Sequence, residues 1–155
     1  MMELILWRHA EAEIGEPDLG RKLTARGDKQ ARRVAEWLHA QLPDSARILV
    51  SPATRAQQTA RALGEVSHRK LRTVDEIAPG ADVRDVLRAA DWPRAKVPVV
   101  VVGHQPTLGH VASFLLAGEV QDWSVKKAGV WWISSRERNG AEQTVLRAVI
   151  SADLL

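Results

Sequence analysis

Three apolar runs in this chain end in residues able to do chemistry. Residues 4–7 lead into Arg8 and His9. Residues 47–50 lead into Ser51, with Arg55 one helical turn further on. The Val-rich run 97–102 leads into Gly103 and His104. If these runs are adjacent parallel strands, their carboxyl ends lie side by side, where open α/β sheets bind ligands. Two arginines and two histidines would then share one cationic pocket. Guanidinium forks match the oxygens of a phosphoryl dianion, and helix N-termini after Pro52 and Pro106 would add donors. A neutral imidazole is a good nucleophile and can carry a phosphoryl group transiently. The other cations and the second imidazole can spread the charge of a loose transition state. No carboxylate cluster suited to Mg²⁺ and no Gly-rich loop before Lys-Ser or Lys-Thr is evident. The expectation is that the protein supplies the positive charge itself, with no metal and no cofactor.

Composition narrows the surroundings of that pocket. At 155 residues the prior is one domain spanning 1–155, able to fold without a disulfide or metal staple. The absence of Cys excludes a disulfide framework, a thiolate metal site and a thiol nucleophile. A hydrophobic fraction of 45% excludes disorder. Lys and Arg number 22 against 19 Asp and Glu, a net charge of +3. That small surplus suits a local anion site better than a nucleic-acid stripe. The first residues, MMELILWRHAEAE, lack the basic start and long apolar core of a signal peptide. No run approaches the roughly 18 apolar residues of a membrane helix. A cytoplasmic protein with no membrane or nucleic-acid partner is expected. Nothing in the sequence sets an oligomeric state.

The elements that must position the pocket alternate between strand and helix. Run 4–7 reads as a buried strand and 10–22 as a loop, with Gly15, Pro17 and Gly20. Thr24 caps a helix over 25–42, whose Ala31, Val34, Ala35, Leu38 and Leu42 fall at helical spacing before Pro43. Strand 47–50 precedes a helix opened by Ser51-Pro52 and running to about Gly64. A weaker strand covers 70–74, a loop 75–80, and a short helix ends at Trp92-Pro93. Strand 97–102 is nearly unbroken Val, as for a central parallel strand covered on both faces. A helix over 107–117 follows. Runs 130–134 and 144–150 flank Asn139-Gly140, a strong hairpin signal. The fold class expected is a single-domain α/β three-layer sandwich: a mostly parallel sheet between helices, ending in an antiparallel hairpin.

These segments together resemble a known family. "LWRHAEAE" is similar to the Arg-His-Gly signature of the histidine phosphatase, or phosphoglycerate mutase-like, superfamily. "SPATRAQQTA" resembles its second motif, and "VVGHQP" its third. The resemblance covers nearly the whole chain, including "RKLTARG". The short length and missing insertions are similar to the SixA-type phosphohistidine phosphatases. The resemblance implies that His9 is the nucleophile that becomes phosphohistidine. It implies that Arg8 and Arg55 bind phosphoryl oxygens, that His104 hydrogen-bonds to them, and that Arg21 is an accessory anion contact. The family's Gly after the nucleophile is Ala10 here. A methyl there is expected to narrow the pocket slightly.

Other roles stay open on sequence. Glu76, with Asp75 as its rival, sits where larger family members place a general acid. A solvated loop carboxylate is an equal reading. Ser51 reads as a helix cap rather than a catalytic group. Lys126 and Lys127 read as solvated, and His39, His68 and His110 as ordinary. The leading function is a metal-independent phosphatase that removes phosphate from phosphohistidine on a signalling protein. The alternatives are a phosphatase of small phosphorylated metabolites, a phosphomutase, and a non-enzymatic anion- or nucleic-acid-binding module.

Overall fold

A computed structural model describes residues 1–155. Its strands are β1 (Met2–Arg8), β2 (Arg47–Val50), β3 (Leu71–Thr73), β4 (Val99–Gly103), β5 (Val130–Arg138) and β6 (Ala141–Ile150). Its helices are α1 (Ala25–Gln41), α2 (Thr54–Ser67), α3 (Val83–Ala90) and α4 (Thr107–Ala117). The strands form one sheet in the order β3-β2-β4-β1-β5-β6. The four strands from β3 to β1 are parallel; β5 and β6 add an antiparallel hairpin beside β1. This is the α/β class expected from the sequence.

Side-chain alternation along the strands sets the layering. Ile5 and Trp7 of β1, and Val100 and Val102 of β4, pack with Val34, Ala35 and Leu38 of α1 and Ala56, Ala60 and Leu63 of α2. Leu4, Leu6, Val99 and Val101 point the other way, to Val86 and Ala90 of α3 and Leu108, Val111 and Ala112 of α4. Both faces of β4 are therefore apolar, which explains its unbroken Val run. Removing a fully buried side chain such as Leu38 should cost about 2–5 kcal/mol.

The helix signals act as read in most places. The Thr24 hydroxyl accepts from the Gly27 amide at 2.9 Å, capping α1. Asp82 and Asp85 form a reciprocal capping box at the start of α3. The α2 helix is the exception. It starts at Thr54 rather than at Ser51-Pro52. Those residues prolong the exit from β2 instead, and the Ser51 hydroxyl accepts from the Ala53 amide at 3.2 Å.

The hairpin is longer than the apolar pattern indicates, because its outer rungs carry Arg136, Glu137 and Arg138, all exposed. Asn139 and Gly140 have φ of 54° and 77°, as a type I′ turn requires. Trp131 and Trp132 point to opposite faces. Trp132 meets Trp37 edge-on at 6.1 Å, and Trp131 meets Trp123 at 5.8 Å. No helix is long and apolar enough to cross a membrane.

Candidate active site

The three motif-bearing strands are neighbours, in the order β2-β4-β1. The register pairs Arg8 with Gly103 and Val50 with Val102. The next residues carry the ladder one step beyond the sheet. The His9 amide donates to the Gly103 carbonyl and the Ser51 amide to the Val102 carbonyl, both at 3.0 Å. His9, His104 and Ser51 therefore stand side by side by backbone geometry alone. The rings of His9 and His104 are 5.2 Å apart. Arg55 joins them from the first turn of α2, with only 4% of its surface exposed.

Each imidazole is held in a defined state. His9 Nδ1 lies 2.7 Å from the carbonyl oxygen of Ala10. A carbonyl can only accept, so Nδ1 carries the hydrogen and Nε2 keeps its lone pair. Burial is the main cause that drives the His9 pKa down to about 4. The charges of Arg55, Arg8 and Arg21 push the same way, against the bond to Ala10. His104 is pushed to about 3, again mainly by burial, then by His9 and Arg55. Both rings are neutral at pH 7. His104 Nε2 lies 2.6 Å from the Ser51 hydroxyl. Ser51 is therefore more than a local cap: fully buried, it is the partner that orients His104.

Ala10 departs from the expectation set for it. Its side chain is fully buried within the α1–α2 core, and its φ is not positive. The methyl fills apolar space instead of narrowing the pocket. The Ala10 amide donates to Thr59 Oγ1 at 3.0 Å, and the Thr59 hydroxyl donates to the Arg55 carbonyl at 2.8 Å. The motif threonine thus ties the His9 segment to the helix that carries Arg55.

The cations are only partly engaged. Arg8 Nη1 donates to the Val125 carbonyl at 2.9 Å. Arg55 Nη1 and Nη2 donate to the carbonyl and carboxylate of Asp18, at 2.8 and 3.2 Å. Arg21 reaches the other Asp18 oxygen at 3.1 Å and the Glu13 carbonyl at 3.2 Å. Desolvation opposes ionisation of Asp18, but Arg55 and Arg21 outweigh it and hold the carboxyl below its ordinary pKa. Among buried side-chain polar atoms, four lack a partner: Arg8 Nε, Arg55 Nε, His104 Nδ1 and Arg69 Nε. Three of the four belong to the residues grouped around His9. Unpartnered buried polar atoms are costly, and the guanidinium donors of Arg8 and Arg55 suit an anion with several oxygens.

Glu76 makes no ion pair with this group. Glu76 and Asp75 lie exposed on a 3₁₀ turn, Asp75–Ile77, after the edge strand β3. Glu76 lines a separate groove of about 260 Å³ with Arg72, Asp85 and Arg88. None of Arg8, His9, Arg55 or His104 borders it. The turn runs toward α3, and Ile77 anchors it in the α3–α4 core. Asp18 is the residue that sequence reasoning missed altogether, because its loop has neither periodicity nor a motif.

Comparison with known proteins agrees with this geometry. Residues 4–83 match the family model of the histidine phosphatase superfamily (branch 1). The chain is 32% identical over 123 residues to the phosphohistidine phosphatase SixA of Escherichia coli strain K12, covering 76% of each chain. It is 32% identical over 127 residues to a SixA homolog of Haemophilus influenzae, covering 74% of this chain and 77% of that one. The fold superposes on the structure of the protein histidine phosphatase SixA complexed with tungstate, with a TM-score of 0.78, 24% identity and 99% of each chain covered. The matched motifs, the shared sheet and the curated relatives lead to one conclusion: the chain belongs to the histidine phosphatase superfamily as a SixA-type phosphatase.

Proposed function

We propose that this phosphatase removes the phosphoryl group from phosphohistidine on a protein, through a phosphohistidine intermediate on His9 and without a metal. One observation carries this reading. A neutral His9 with Nε2 unprotonated shares the strand ends with the unpartnered guanidinium donors of Arg8 and Arg55 and the unpartnered Nδ1 of His104. Nε2 attacks phosphorus, and the P–N bond to the substrate ring, protonated on its other nitrogen, breaks with its electron pair staying on that ring, which leaves as neutral imidazole. Arg8, Arg55 and His104 hold the phosphoryl oxygens as charge spreads over them. Water then attacks phospho-His9. Inorganic phosphate departs, and Nε2 regains its lone pair. Arg21 acts at a distance, as a charge that helps to keep both imidazoles neutral. The tungstate bound by the SixA relative is a tetrahedral oxyanion of the kind this donor set would hold.

The position of Glu76 favours a P–N substrate. An alkyl phosphate releases a strongly basic alkoxide and needs a positioned acid. An imidazole leaving group is stabilised and needs less help. With Glu76 in its own groove, the site is better suited to phosphohistidine than to alkyl phosphates of small metabolites. The test is to assay purified protein in EDTA on a phosphohistidine peptide, an aryl phosphate and an alkyl phosphate. The expected order of kcat/KM is peptide and aryl phosphate well above alkyl phosphate. A preference for an alkyl phosphate, or an absolute need for added metal, would overturn the reading.

A further inference from the structure

A cationic groove of about 600 Å³ lies between α1 and the segment before β5, and Arg8, the residue before His9, is in its lining. Arg8, Arg26, Lys29, Arg33, Lys126 and Lys127 line it, against the single carboxylate of Asp153. That local excess is greater than the net charge of +3 carried by the whole chain. Lys126 and Lys127 are exposed, as expected, and each has a carboxylate 3.9 Å away: Asp153 for Lys126 and Glu11 for Lys127. The segment that bears them is fastened to the end of β1. Arg8 holds the Val125 carbonyl, the Trp7 indole donates to the Ala128 carbonyl at 3.0 Å, and the Ala128 amide donates to the His9 carbonyl at 3.1 Å.

We propose that this groove docks an acidic surface flanking the phosphorylated side chain of a protein substrate; the proposal rests on the phosphohistidine-protein reading above. Arg8 is common to the groove and to the catalytic group, so a partner seated in one reaches the other. Arg26, Lys29 and Arg33 recur at helical spacing on one side of α1 and span about 10 Å along its axis. No carboxylate lies within ion-pair distance of these three. They are exposed and free to pair with a partner's carboxylates. Ala152 is the only apolar residue in the lining, and no aromatic ring lies there to stack a base. That chemistry favours an acidic protein face over a nucleotide or a single-stranded nucleic acid. Charge complementarity of this kind acts chiefly on encounter and selectivity, and salt weakens it.

The test compares the wild type with Arg26→Gln/Lys29→Gln/Arg33→Gln, its fold checked by circular dichroism. Substrates are two phosphohistidine peptides, one flanked by Glu and Asp and one by Ser and Gln, and para-nitrophenyl phosphate. At low salt the wild type should favour the acidic peptide about tenfold or more in kcat/KM, mostly through KM. The variant should lose that preference and keep its rates on the neutral peptide and the aryl phosphate within about twofold. A preference unchanged in the variant, or equal losses on all three, would overturn the proposal. Calorimetric binding of the unphosphorylated acidic peptide separates this proposal from the catalytic one. It should weaken about tenfold in the variant even if neither peptide is dephosphorylated. Absence of binding to the wild type, or tighter binding of a single-stranded oligonucleotide of equal charge, would contradict acidic-protein docking.

Discussion

His9 donates its Nδ1 hydrogen to the carbonyl of its own neighbour, Ala10, across 2.7 Å. The bond is local, so it forms with the turn that follows β1 and waits for no substrate. It fixes the tautomer that a phosphoryl acceptor needs, with Nε2 unprotonated. Burial, then the nearby arginines, keep the ring uncharged well below neutrality.

The two site histidines should titrate near pH 4 and pH 3, and ring NMR signals should show His9 in the Nδ1-protonated form at neutral pH. Folding stability follows from the same shifts. The unfolded rings take up protons near pH 6.5, the folded ones only near 4 and 3. Between those values the unfolded state binds more protons, so stability falls as pH drops below about 6.5. Each pKa unit corresponds to about 1.4 kcal/mol. Thermal melts of His9→Asn should decline less steeply over that window than those of the wild type. Titration of both rings near 6.5 would contradict the buried neutral state.

Arg55→Ala should lower kcat on the order of 10²–10³-fold, as for loss of one strong oxyanion donor. Arg55→Lys should recover little, because a single ammonium cannot hold Asp18 with two Nη donors and also offer Nε. Steady-state kinetics on an aryl phosphate would check this. Recovery by Lys to near wild-type rate would mean that charge alone matters.

Ser51→Ala should reduce turnover about tenfold while the protein stays folded. It removes the 2.6 Å partner of His104 Nε2 and frees the ring to change tautomer. The accompanying signature is a shift in the His104 ring resonances. A rate loss with those resonances unchanged would point to another role for Ser51.

Glu76→Gln should leave the rates on phosphohistidine peptide and aryl phosphate within about threefold of the wild type. The carboxylate borders a groove that the catalytic group does not share. A loss of 10²-fold or more confined to alkyl phosphates would restore the general-acid role.

Gly27→Ala should destabilise the protein by about 1–3 kcal/mol, because a Cβ there would collide with the Glu11 carbonyl. The same displacement would disturb the loop that brings Asp18 to Arg55. A denaturant melt measures the first effect, and kcat on an aryl phosphate the second.

Arg8, His9 and His104 are legible in the sequence because each follows an apolar run that reads as a buried strand and because the three motifs occur together. Arg55 is legible only because Ser51, Ala56 and Thr59 complete a motif around it; its place on the helix alone marks nothing. Parallel pairing of adjacent strands does the rest. Ser51 reads as a cap, since a serine before proline at a helix start is ordinary. Only the register of β2 against β4 shows that its hydroxyl meets His104. Glu76 could not be placed, because no local pattern shows that β3 lies at the sheet edge and that the turn after it leads toward α3. The outer rungs of the hairpin escaped notice because strands in solvent on both faces lose the alternation that marks a half-buried strand.

The most direct measurement is chemical trapping of the intermediate. The protein would be mixed with a ³²P-labelled phosphohistidine peptide in EDTA, quenched in alkali within milliseconds, and mapped by mass spectrometry. Label should appear on Nε2 of His9 as an alkali-stable, acid-labile phosphoramidate. It should be absent from His9→Ala, whose turnover should fall on the order of 10³-fold or more. Label on another residue, or wild-type turnover by His9→Ala in the presence of the chelator, would contradict the account.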